Sequence, residues 1–355
     1  MKHNFGAGPC ILPQEVFQEA SQAVLNFNDT GLSILEISHR SKEFEAVMIE
    51  TEQLMRELLS VPQGYAVVFL QGGASTQFAM VPMNLLPEGG KAAYLDTGTW
   101  SSKAVKEAKK IGNVEVVASS ADANYNYVPK NYEVPSDVAY LHYTSNNTIF
   151  GTEVFEAPKT NVPLVSDMSS DILSRKINVA DHGLIYAGLQ KNVGPAGAAV
   201  VIVKEELLGK TGRTLPTIFD YQSHINAQSM YNTPPVFSIY VAMLNLRWLK
   251  KKGGVSVIEQ ENIIKARTLY DEIDRNPLFR GTAQVADRSR MNVTFVTEDK
   301  AHESTFLELA KERGLVGLKG HRSVGGFRAS IYNALSITGV NALVDTMQEF
   351  EEKNK

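Results

Sequence analysis

Seven short runs rich in β-branched and aliphatic residues, at 65–70, 92–95, 114–117, 138–143, 162–166, 183–189 and 198–203, constrain this chain more than any other feature. Runs such as Tyr65-Ala66-Val67-Val68-Phe69-Leu70 and Ala198-Ala199-Val200-Val201-Ile202-Val203 lack the apolar–polar alternation of a half-solvated strand, so they must be covered on both faces. Several are separated by stretches long enough to hold a helix. This pattern predicts an α/β fold with a mostly parallel seven-stranded sheet. Apolar stripes predict amphipathic helices over 13–28 and from Phe44 to Leu59. The run at 65–70 breaks at Gly72-Gly73 and leads into a predicted helix with Ser75 as its N-cap and Pro82 as a kink. Helices are also predicted over 236–252 and 258–273. Beyond about residue 275 the order becomes strand 291–296, helix 302–313, strand 327–332 and helix 340–352, a compact α+β module. The expected division is a large domain over 1–255, whose N-terminal segment contributes to the site, and a small one over 256–355.

Composition narrows the function classes. Hydrophobic residues make up 43% and charged residues 21% of the 355, ordinary values for a globular protein. A formal net charge of −4 argues against general binding to nucleic acid or to an anionic membrane. The single cysteine, Cys10, allows no internal disulfide. The N-terminus has no apolar signal-peptide core, and apolar runs of about six residues fall far short of the roughly 20 needed to span a bilayer. A soluble cytoplasmic protein is expected. No His or Cys pair has metal-ligand spacing, so no metal is expected.

Chemistry concentrates at two loops. Lys191 follows the run 183–189, which can hide its stem, and glycines at 188, 194 and 197 allow close backbone approach. A loop lysine is ordinarily solvated. A desolvated one has a lowered pKa, and its neutral amine can attack an aldehyde. Asp167 follows the run 162–166. An amine and a carboxylate at neighbouring strand ends can grip the two ends of pyridoxal phosphate, the lysine at the aldehyde and the carboxylate at the ring nitrogen. Gly72-Gly73-Ala74-Ser75-Thr76 bridges a strand to a helix N-terminus, where backbone N–H groups and the helix dipole suit a phosphate. Trp100 offers an indole to stack on a ring, and Thr148 a hydroxyl.

Two other readings fail on the residues. Gly209-Lys210-Thr211 is not a phosphate-binding P-loop, because the first glycine of that motif is replaced by Lys204. A cysteine desulfurase needs a thiol in the C-terminal half, and Cys10 is the only one.

Gly6-Ala7-Gly8-Pro9, His39-Arg40, Gly72-Gly73-Ala74-Ser75, Thr99-Trp100-Ser101, Gln190-Lys191-Asn192-Val193-Gly194-Pro195-Ala196-Gly197, Asn232-Thr233-Pro234-Pro235 and His321-Arg322-Ser323-Val324-Gly325-Gly326-Phe327-Arg328 together resemble the phosphoserine aminotransferase family, class V enzymes of the fold type I pyridoxal phosphate group. The resemblance runs from residue 6 to the C-terminal helix. It implies transamination of 3-phosphohydroxypyruvate with L-glutamate, giving O-phospho-L-serine and 2-oxoglutarate in serine biosynthesis. It also brings a second acceptor, a phosphorylated hydroxythreonine of vitamin B6 synthesis, on which the residues are silent.

Position by position, the resemblance implies that Lys191 bonds to the pyridoxal 5′-phosphate aldehyde and shuttles the Cα proton, and that Asp167 holds the ring nitrogen. Trp100 would stack on the ring, and Gln190 and Thr148 would hydrogen-bond around it. Ala74 and Ser75 would receive the phosphate. Asn232 and Thr233 would reach it from the partner subunit of a homodimer. Relatives often carry Arg or Thr where Ser75 stands, so main-chain and hydroxyl contacts without a side-chain cation are expected here. Arg328 would fork onto the substrate α-carboxylate. His39, Arg40, His321 and Arg322 would receive the distal carboxylate or phosphate.

Overall fold

The computed structural model describes residues 2–322 and 324–354; Ser323 of the C-terminal motif lies outside them, as do Met1 and Lys355. The seven runs all form strands: β1 Tyr65–Gln71, β2 Lys91–Asp96, β3 Asn113–Ser119, β4 Leu141–Thr144, β5 Leu164–Asp167, β6 Leu184–Gly188 and β7 Ala198–Lys204. They build one sheet in the order β1-β7-β6-β5-β4-β2-β3. Every residue of β5 and β6 is buried, as a strand covered on both faces requires.

All neighbouring pairs are parallel except those of β7, which runs antiparallel to both β6 and β1. The exception has a simple cause. A parallel return needs a crossover of about a dozen residues or more, and only 189–197 separate β6 from β7. The chain must turn back directly, and that turn carries Lys191.

Helices flank the sheet: α1 Gln14–Leu25, α2 Lys42–Leu59, α3 Ala74–Leu85, α4 Thr99–Ala108, α5 Tyr221–Asn226, α6 Val236–Lys251 and α7 Val255–Arg275. No helix of the described residues is long and apolar enough to cross a membrane. The structure corrects the expected start of α3. Its N-cap is Gly73, with no side-chain cap, and Ser75 lies one residue inside the first turn. Gly72, at φ +90°, supplies the left-handed turn that lets the helix begin early; a Cβ there would meet Thr76 Oγ1 at 2.5 Å. The helix then continues through Pro82 to Leu85.

The C-terminal module holds an antiparallel sheet of β8 Phe279–Gly281, β9 Asn292–Thr297 and β10 Phe327–Ser330, with α8 His302–Glu312 and α9 Ile337–Lys353. The three-residue β8 was too short to show in the sequence. Phe279, Phe295, Phe306, Phe327 and Phe350 meet in its core through edge-on and tilted contacts. Phe5 joins this core rather than the large one, because His3–Asn4 pairs parallel with Leu315–Val316. Helix α7 serves both sides: Val255 and Ile258 pack with the large core, and Leu269 and Ile273 with the small one.

Candidate active site

The carboxyl ends of the parallel strands face one cavity of about 300 Å³. This is where an open α/β sheet presents its loops to a ligand. β5 ends in Asp167; the turn after β1 brings Gly73, Ala74 and Ser75; the turn after β2 brings Trp100; the segment after β4 brings Thr148; and the β6–β7 turn brings Gln190 and Lys191. From the C-terminal module come His321 and Arg328.

Lys191 is 9% exposed, and its Nζ donates to Thr148 Oγ1 at 2.9 Å. Burial lowers its pKa to about 8, with Asp167 opposing the shift and Arg328 adding to it. The neutral amine that imine chemistry needs is therefore a minor form at pH 7, far more populated than in a solvated lysine, and the dominant form above about pH 8. Asp167 is also buried, and burial raises its pKa. Ser169 opposes that shift: its backbone N donates to Asp167 Oδ1 at 2.9 Å and its hydroxyl at 2.5 Å. The same hydroxyl accepts from Gly188 N at 3.1 Å, tying Asp167 to the end of β6. Ser169 was not picked out from the sequence, although Asp-x-Ser is a recognisable Asx-turn pattern.

Thr148 links two charges. Its hydroxyl accepts from Lys191, and its carbonyl accepts from Arg328 Nη1 at 3.3 Å. Arg328 Nε is buried and has no hydrogen-bond partner among the described residues, and the same holds for Trp100 Nε1. Both atoms belong to residues that line the cavity. His321 is held below the usual imidazole range by burial and then by Arg328, Arg322 and Lys103. Lys103, also missed from the sequence, lies 4.4 Å from the centroid of the Trp100 ring. Its only sequence signal was its place one turn after Trp100.

Five expected residues do not line this cavity: His39, Arg40, Asn232, Thr233 and Arg322. Arg40 and Arg322 are exposed and His39 is half-buried. Thr233 is exposed and Asn232 half-buried, beside the end of β1, where Gln71 Nε2 donates to the Thr233 carbonyl. Cys10, dismissed as a catalytic thiol, nevertheless touches the site: its Sγ donates to the Lys191 carbonyl at 2.8 Å. Burial pushes the thiol up to about 12, so it stays protonated and supports the loop rather than acting as a nucleophile.

Comparison with known proteins converges on one group. The profile of the class-V aminotransferases matches residues 3–343. The phosphoserine aminotransferase of Flavobacterium johnsoniae is 61% identical over 353 residues, with 99% of each chain covered. The solved phosphoserine aminotransferase of Bacillus circulans subsp. alkalophilus superposes with a TM-score of 0.97 at 46% identity, covering 100% of this chain and 99% of that one. A pyridoxal phosphate-bound phosphoserine aminotransferase from Trichomonas vaginalis gives a TM-score of 0.94 at 38% identity, covering 98% of this chain and 100% of that one. This chain therefore belongs to the class-V aminotransferases and, within them, to the phosphoserine aminotransferase family.

Proposed function

We propose that the chain is a pyridoxal 5′-phosphate-dependent transaminase that exchanges an amino group between L-glutamate and 3-phosphohydroxypyruvate, yielding 2-oxoglutarate and O-phospho-L-serine. The observation that carries this reading is the convergence in one cavity of a desolvated amine, a buried carboxylate and a guanidinium.

The residues present fit the coenzyme. Asp167 offers a carboxylate that a ring N–H would keep ionised. Trp100 offers an indole face and an unpartnered N–H. The uncapped N-terminus of α3 suits a phosphate, and a Cβ at Gly73 would meet nothing within 4 Å, so there is room for one. Ala74 and Ser75 would hold that phosphate, with Thr148 and Gln190 beside the ring. When bound, the coenzyme supplies an aldehyde that captures the amine and a ring that accepts electron density from Cα.

The chain's own residues then divide the work. Arg328 holds the α-carboxylate shared by both substrates. Lys191 would take and return the proton at Cα. His321 meets the distal anion. His39, Arg40, Arg322, Asn232 and Thr233 line no cavity with these groups in their own chain, which fits their supply across the interface of a homodimer. We place this dimer in the cytoplasm and divide each chain into units at 1–255 and 256–355.

A coupled assay of 2-oxoglutarate release, with 3-phosphohydroxypyruvate and hydroxypyruvate as alternative acceptors, tests the reading. Strong preference for the phosphorylated acceptor is expected. Comparable rates would refute phosphate specificity.

A further inference from the structure

We propose that Asn333 is a positioning residue for transamination: it joins the loop bearing Lys191 to the turn that follows the strand bearing Arg328, and so sets the spacing between amine and guanidinium. The proposal rests on the roles given above to Lys191 and Arg328. Neither Asn333 nor Asn262, its partner on α7, lines the cavity, so both act through other groups.

Asn333 bonds to three separate parts of the chain. Its backbone N donates to Asn192 Oδ1 at 3.1 Å, its Nδ2 to the Leu173 carbonyl at 3.0 Å, and its Oδ1 accepts from Asn262 Nδ2 at 2.9 Å. Asn192 is the residue after Lys191, and its own Nδ2 donates to the Ile172 carbonyl at 3.2 Å. The loop carrying the amine is thus tied to both the 172–173 segment and the C-terminal module.

The other end of the link is equally constrained. β10 carries Arg328 and ends at Ser330, and the turn after it is gripped from α7. Lys265, one turn along α7 from Asn262, donates to the carbonyls of Ile331, Tyr332 and Leu335 at 2.9, 2.8 and 3.0 Å. Asn192, Asn262 and Asn333 are 4%, 1% and 4% exposed, so bulk water does not compete for these bonds. Only an amide serves at Asn333, because its side chain must donate and accept at the same time. A carboxylate would set an oxygen against the Leu173 carbonyl, and leucine would satisfy neither contact.

The test uses coenzyme-loaded Asn333→Ala, which keeps the main-chain bond to Asn192 Oδ1 but removes both side-chain bonds that hold residue 333 in place, and Asn262→Ala, compared with the parent in single-turnover half-reactions with glutamate and with phosphoserine. A shift of about 1 Å between reacting groups costs on the order of 10²-fold, so both half-reactions should slow by about 10- to 100-fold in Asn333→Ala and less in Asn262→Ala. The pH midpoint of the coenzyme's visible absorbance should also shift, because the distance from Arg328 sets how strongly it depresses the proton affinity of the Lys191 nitrogen. A purely structural role would lower the melting temperature and leave the half-reactions and midpoint unchanged; that result overturns the proposal. Asn262→Ala removes one of Asn333's three bonds and decides the matter if Asn333→Ala does not fold. Borohydride reduction of the parent separates the two levels of inference. A tag off Lys191 would overturn the site itself, whereas a tag on Lys191 with unaltered variants would overturn the positioning role alone.

Discussion

Lys191 Nζ donates to Thr148 Oγ1 at 2.9 Å, although the two residues stand 43 positions apart in the chain. This bond fixes the direction of a buried amine. Thr148→Val keeps the volume and deletes the hydroxyl. A neutral hydrogen bond contributes about 0.5–1.5 kcal/mol net, so the glutamate half-reaction should slow by about 2- to 10-fold. Stopped-flow absorbance of the coenzyme band measures it, and an unchanged rate would show that the bond plays no part in turnover.

The amine's pKa of about 8 makes a pH prediction. Below it Lys191 is protonated and cannot attack an aldehyde; above it the neutral form dominates. Covalent capture of added pyridoxal phosphate by the coenzyme-free protein should accelerate as pH rises through about 8 and then level off. Lys191→Ala should show no such covalent phase and should lose on the order of 10²–10⁴-fold or more in turnover, the usual contribution of a positioned proton-transfer group.

Arg328 is the one guanidinium among the described residues lining the cavity, and its Nη1 is anchored on the Thr148 carbonyl. Hydrogen bonds to charged groups contribute about 1.5–3 kcal/mol each, so Arg328→Ala should raise KM by about 10- to 100-fold. The rise should be similar for glutamate and phosphoserine in steady-state assays, because both carry the α-carboxylate. A loss confined to one substrate would assign Arg328 to the distal anion instead.

Lys265 gives a stability prediction independent of the chemistry. Burial lowers its pKa to about 7, and its amine donates to three main-chain carbonyls. Lys265→Met keeps much of the volume and removes every donor. The expected cost is about 3 kcal/mol, the scale of leaving buried acceptors unsatisfied, read as a lower denaturant midpoint with the slope unchanged.

The proposed sharing of the site between two subunits predicts complementation. Lys191→Ala and Asn232→Ala subunits, each impaired alone, should regain activity when denatured together and refolded as hybrids, because one of the two sites would then be intact. Activity no higher than that of the separate variants would place Asn232 outside the partner's site.

The interior strands and the two central residues were legible in the chain because burial on both faces leaves a direct compositional mark, whereas β3 at the sheet edge has no buried residue. A run as short as Leu184–Gly188, bounded by glycines, reads as an interior strand, and a lysine just beyond it has its stem hidden. Even the reversal of β7 is implicit in the brevity of 189–197. What only the tertiary structure decided was which distant groups share a volume. Ser169 beside Asp167, Lys103 over Trp100, Cys10 beneath the Lys191 loop and Asn333 against Asn192 are contacts between segments whose spacing in sequence carries no trace of their approach in space. The division of α7 between two cores belongs here as well: an amphipathic stripe says that a helix is buried, and only packing says against what.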